Sequence, residues 1–202
     1  MTFRRRAQTA GKSAVVFPGA FNPVTRAHLA LARAALAWAP EVVFAIPRTF
    51  PHKEWDGPGL EARVELLMEA AAGEPGFSVA CCEAGLFIDM ARALRAAAPE
   101  LERLLALCGR DAAERIVGWD YGAGPAIARQ LDEYELLVAP RGGLYPPPPE
   151  LAPRIHALTV GEGLDEISST EVRARIAAGA GWEEFTPPGI AARVRALYSD
   201  AP

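Results

Sequence analysis

The chain has 202 residues, half of them hydrophobic, which suits one sizeable core and is short for two independent domains. With 21 Lys and Arg against 25 Asp and Glu the formal charge is -4, so no global basic field draws it to nucleic acid and any phosphate has to be gripped locally. The apolar run behind the Arg4-Arg5-Arg6 start is far too short for a membrane span or a signal-peptide core, so a cytoplasmic protein with no membrane partner is expected.

In chain order, residues 1–12 read as a flexible basic start. Short apolar runs then alternate with longer Ala/Leu/Arg stretches of helical period, the pattern of a parallel sheet flanked by helices. Strands are expected at 14–17, 42–46, 77–81, 104–108, 136–139 and 157–160. Helices are expected at 26–38, 60–72, 89–97, 125–131, 170–178 and 190–198. The Gly142-Gly143 pair and the run Pro146-Pro147-Pro148-Pro149 cannot be a central strand or a helix interior, so they form an exposed connection. Cys81, Cys82 and Cys108 lack the spacings of a zinc site or disulfide framework and read as buried free thiols. In open parallel sheets, ligands bind beyond the carboxyl ends of the strands where strand order reverses, so residues just after each strand carry the chemistry.

Behind the first strand runs Pro18-Gly19-Ala20-Phe21-Asn22-Pro23, with Thr25 and His28 opening the next helix. Gly19 and Ala20 have little side chain to keep a triphosphate off the backbone. Thr25 and His28, three apart at a helix amino end, share a face where N–H groups and the helix dipole favour anions, so both are expected to meet one phosphate. After the second strand come His52 and Lys53, basic residues on a loop spanning 50–59. After the fourth come Gly109-Arg110-Asp111 and then Trp119: the carboxylate suits the two ribose hydroxyls and the indole a flat base. A helix cap and a core Trp explain that pair equally well. Ile167-Ser168-Ser169-Thr170-Glu171-Val172-Arg173 holds a plain capping box, Ser168 with Glu171, yet three hydroxyls at a helix start with Arg173 on the same face also suit a polyphosphate.

The segment from Gly19 to His28 resembles the signature of the nucleotidyltransferase superfamily: a glycine, a phenylalanine, Asn or Asp before Pro, then His or Thr and a final His. Ala27 stands where that family usually has glycine. The run from Ile167 to Arg173 is similar to its second motif. The spacing of Gly109 and Asp111 to Trp119, the His52-Lys53 loop and the strand ending in Pro140-Arg141 resemble the bacterial nicotinate mononucleotide branch, as do Gly179, Pro187, Pro188 and Tyr198. Thr25 instead matches the phosphopantetheine branch, and Phe87 stands where the nicotinate enzymes carry hydroxyls that read the pyridine carboxylate.

The resemblance implies a Rossmann-like doubly wound α/β sheet with a small helical part at the carboxyl end, as a single domain over residues 13–202. It implies transfer of AMP from ATP to a mononucleotide with release of pyrophosphate, aided by Mg²⁺ and with no covalent enzyme intermediate. His28, Thr25, Arg173 and Lys53 become the catalytic candidates. Gly19, Ala20, Phe21, Asn22, Gly109, Asp111, Ile167, Ser168, Ser169 and Thr170 become the ATP-binding ones. His52, Phe87, Trp119 and Arg141 fall to the second substrate. Phosphopantetheine as acceptor, or a nucleotide-binding relative without turnover, are the rival readings.

Overall fold

The computed structural model describes residues 1–49, 57–83, 85–140, 142–161, 163–164 and 167–199. Its strands are β1 (Thr2–Arg5), β2 (Ser13–Pro18), β3 (Val42–Pro47), β4 (Phe77–Cys82), β5 (Arg103–Gly109), β6 (Glu135–Ala139) and β7 (Ile155–Ala157). Between and after them lie α1 (Arg26–Ala35), α2 (Leu60–Ala70), α3 (Phe87–Ala97), α4 (Arg110–Gly118), α5 (Ile127–Gln130), α6 (Ser169–Ala177) and α7 (Ala191–Tyr198).

Every residue of β3 and β4 is buried, as expected of central strands whose two faces are both covered. Alternate side chains feed two separate cores. Val15, Phe17, Phe44, Ile46 and Val79 pack with Leu29 of α1, Leu67 of α2, Val172 of α6 and Val194 of α7. Val16, Val43, Ala80, Ala106 and Val138 pack with Met90 and Leu94 of α3 and Ala113 of α4. Helices therefore cover both faces of one seven-stranded sheet ordered β1-β4-β3-β2-β5-β6-β7. All neighbours pair in parallel except β1 with β4. This is the doubly wound α/β class expected from the sequence. The order turns back between β2 and β5, which pair directly, so the crevice of such a sheet lies beyond their carboxyl ends.

The basic start corrects the expectation of a flexible segment over residues 1–12. Thr2–Arg5 is an edge strand on β4, and Phe3 packs against the second core. Arg5 donates to the carbonyls of Ala71, Ala72 and Glu74 just past α2, where a helix end leaves acceptors unpaired. Arg6 bridges Glu41 and Glu100, and the Ala7 N–H donates to Ser78 Oγ at 2.7 Å.

Other boundaries move for local reasons. α1 ends at Ala35 rather than 38 because its last turn tightens, with Ala37 N–H on the Ala34 carbonyl and Trp38 N–H on that of Ala35. α5 is a single turn. β7 begins at Ile155, two residues before the expected 157, because the 3₁₀ turn Ala152–Arg154 delivers Ile155 opposite Leu136 of β6. The helix α4 was not among the expected helices, although a helix cap was one reading of Asp111 in its first turn. Cys81, Cys82 and Cys108 are buried free thiols, and burial pushes Cys108 up to about 12. Among the described residues, no helix is long and apolar enough to cross a membrane.

Candidate active site

The chain leaves β2 through a turn that closes on its own aromatic residue. Phe21 takes a left-handed backbone, φ 47°, unusual for a residue with a side chain, and the Asn22–Pro23 peptide is cis. The buried Phe21 ring meets Phe17 edge-on at 5.5 Å, Phe44 at 5.3 Å and His28 at 5.1 Å between centroids. Gly19 answers to that ring: a Cβ there would stand 2.7 Å from Phe21 Cζ. The turn's glycine is thus demanded by packing, whereas the sequence suggested only room for a phosphate.

Thr25 is fully buried and caps α1. Its N–H donates to His28 Nδ1 at 3.0 Å, its hydroxyl oxygen lies 2.8 Å from the same nitrogen, and His28 N–H donates back to Thr25 Oγ1 at 3.4 Å. Because Nδ1 accepts a backbone N–H, the proton of the neutral ring sits on Nε2, making that nitrogen a donor. The Thr25 hydroxyl and the imidazole, expected to meet one phosphate, here meet each other. The Thr25 backbone N–H and hydroxyl thus both lie against His28 Nδ1.

From the other end of the chain, α6 docks on this turn. Ser168 caps it, accepting from Glu171 N–H at 3.1 Å, while the Glu171 carboxylate turns to Arg175, so only the forward half of the expected capping box forms. Ser169 Oγ donates to the Pro23 carbonyl at 2.8 Å, and Arg173 donates to the Asn22 carbonyl at 2.6 Å. Those pairs lie 146 and 151 positions apart in sequence. Ile167 is buried beneath them and Thr170 is exposed.

Two residues without an expected role complete the frame. Arg63 of α2, only 2% exposed, donates to the Ala20 carbonyl at 2.9 Å and to that of Pro58 at 3.2 Å, and burial lowers its pKa. Tyr198, the last residue of α7, donates its hydroxyl to Asn22 Oδ1 at 2.6 Å. An arginine on the buried face of an apolar helix, in register with Leu66 and Leu67, was the available signal for the first. Tyr198 entered the sequence reading only through its resemblance to the nicotinate branch, which gave it no role at the turn.

Beyond β5, Gly109 opens α4, and a Cβ built on it meets nothing within 4 Å. Asp111 is exposed in the first turn of that helix, and Trp119 behind it is 50% exposed, which rules out the core-Trp reading. Arg110 pairs with Glu114 and holds the Gly142 carbonyl at 3.0 Å, tying the proline connection to α4. Phe87 opens α3 beyond β4 and packs partly into the second core. His52, Lys53 and Arg141 lie outside the described residues. The structure therefore gathers the Gly19–His28 turn with the Ser168–Arg173 segment, sets Gly109 and Asp111 beyond the neighbouring strand, and leaves Phe87 on the β4 side.

Residues 16–175 match the family model described as cytidylyltransferase-like, and the chain belongs to that family. It is 34% identical to a Gloeobacter violaceus protein named "Probable nicotinate-nucleotide adenylyltransferase", over 93% of this chain and 97% of that one. A phosphopantetheine adenylyltransferase of Symbiobacterium thermophilum is 43% identical over 79 residues, 38% of this chain and 46% of its own. Among solved structures, the nicotinic acid mononucleotide adenylyltransferase of Plasmodium falciparum complexed with NaAD superposes with a TM-score of 0.69. That likeness, at 15% identity over 95% of this chain and 98% of the other, establishes the fold.

Proposed function

We propose that the chain transfers AMP from ATP to nicotinate mononucleotide, releasing pyrophosphate, as a step of NAD biosynthesis. The observation that carries this is the meeting of the two distant segments at the sheet's reversal point: Ser169 and Arg173 hydrogen-bonded to the turn that His28 follows. Near full-length similarity to a protein named for that reaction supports it. The reading carries with it a single domain, widened from the expected residues 13–202 to take in β1 at the sheet edge, and a cytoplasmic location.

An oxygen of the mononucleotide phosphate attacks the α-phosphorus of ATP in line. The bond to the bridging oxygen breaks, and its electrons leave with pyrophosphate. The protein's work is to align two anions that repel one another and to offset charge growing on the leaving oxygens. His28 Nε2–H, Arg173 and the amino end of α6 supply donors, and Lys53 is assigned to the phosphates by resemblance. Gly109 leaves space for the nucleoside, Asp111 accepts from the ribose hydroxyls and Trp119 offers a stacking face. His52, Phe87 and Arg141 are assigned to the mononucleotide. Mg²⁺ enters this reading as part of the Mg–ATP substrate, held by its phosphates.

Because His28 donates most strongly where charge develops, His28→Ala should lower kcat by about 10²–10³-fold while ATP binding changes little. Steady-state rates beside calorimetric ATP titration check this, and unchanged turnover would remove His28 from the mechanism. A second reading, phosphopantetheine as acceptor, draws on Thr25 and the partial match to the Symbiobacterium protein. The exposed Trp119 behind Asp111 favours the pyridine nucleotide, and the ratio of kcat/KM for the two acceptors decides between them.

A further inference from the structure

The turn that follows β2 is held by its backbone and by one side chain, and the second hold comes from α7, beyond the residues that match the family model. Arg173 and Ser169 fasten the carbonyls of Asn22 and Pro23. Tyr198, 6% exposed, reaches the Asn22 amide from below with a 2.6 Å bond to Oδ1. Burial pushes the phenol up from its ordinary range, so it remains a hydroxyl donor across the pH range of life. An amide can otherwise present either its oxygen or its NH₂ to a ligand, and those two faces have opposite affinity for a phosphate.

With Oδ1 occupied, the two N–H donors face away from Tyr198. Among the described residues Nδ2 has no protein acceptor, and it is not sealed from solvent. We propose that Tyr198 is a positioning residue which locks the Asn22 amide with its NH₂ toward the phosphates of ATP, so that the last helix decides what charge the turn accepts. This rests on the reading that the turn following β2 binds ATP. Without the phenol hydroxyl the amide is free to rotate, and its oxygen then meets an anion.

The test is a double-variant cycle on the full chain, titrating Mg–ATP alone by calorimetry so that no acceptor is needed. Tyr198→Phe keeps the ring in the core, and a melting curve for each variant verifies that the fold remains. Tyr198→Phe and Asn22→Ala are each expected to weaken ATP binding about tenfold, the scale of one hydrogen bond to a charged group. The double variant should bind no more weakly than Asn22→Ala, because the tyrosine acts through that amide. Wild-type affinity in Tyr198→Phe, or the same loss from Tyr198→Phe in the Asn22→Ala background, overturns the inference while leaving the adenylyltransferase reading intact. Failure of the wild-type chain to bind ATP overturns both.

Discussion

His28 shows how far a single residue type can be read before its neighbours are known. Three residues after Thr25 at a helix start, it was expected to share one phosphate with that hydroxyl, yet the geometry spends the hydroxyl on the imidazole itself. The signal for phosphate chemistry was legible because Gly19, Asn22-Pro23 and His28 are unusual together; the division of labour was not, because it depends on Thr25 being fully buried. Gly19 carries a similar lesson. Gly19→Ala would drive a Cβ to 2.7 Å from the Phe21 ring, which is wedged among Phe17, Phe44 and His28 and has nowhere to move. We expect a loss of about 1–3 kcal/mol of stability, read from urea midpoints. A variant as stable as the parent would mean that the ring is not the reason for the glycine.

At the scale of elements, the six central and following strands were legible because each is a short apolar run bounded by polar turns, and the two missed features have physical causes. β1 has no apolar run of its own; its place comes from Phe3 on the second core and from arginines that pair with partners tens of positions away. α4 offers only a two-turn stripe, Ala112, Ala113, Ile116 and Val117, of which Ala113 alone is buried, too short a period to stand out from the loop residues around it. The junction of β5, β6 and β7 yields a pH prediction. The Arg103 guanidinium, bonded to both oxygens of Glu135 at 2.9 and 2.8 Å, with His156 Nε2 at 2.5 Å from one of them, holds that carboxyl down at about 2. A depressed carboxylate contributes stability that is present above its unfolded pKa and lost as pH falls through the folded one. Glu135→Gln should therefore be less stable than the parent at pH 7, and the gap should close between about pH 4 and 2. Urea unfolding at pH 7, 4 and 2 measures it, and a gap that persists at pH 2 would show that the ion pair contributes nothing.

For the whole molecule, the sheet order does what neither segment does alone. Ser13 of β2 and Arg103 of β5 are register partners although they stand 90 positions apart in the chain, so the two strands lie side by side at the reversal point. Their carboxyl ends bring the Gly19–His28 turn beside Gly109 and Asp111, while α6 and α7 return from the far end of the chain to clamp it. The family was legible from two motifs; of the clamp, Arg63 left a signal as an arginine in register with Leu66 and Leu67, whereas the bond from Tyr198 to the Asn22 amide leaves no pattern in sequence. Phe87 offers no side-chain donor to a pyridine carboxylate, so another group must read the acceptor. The most direct measurement supplies Mg–ATP with nicotinate mononucleotide, nicotinamide mononucleotide or phosphopantetheine in turn and follows pyrophosphate together with the adenylylated product. The account predicts one pyrophosphate per dinucleotide formed with nicotinate mononucleotide; release with phosphopantetheine alone, or with none of the three, would contradict it.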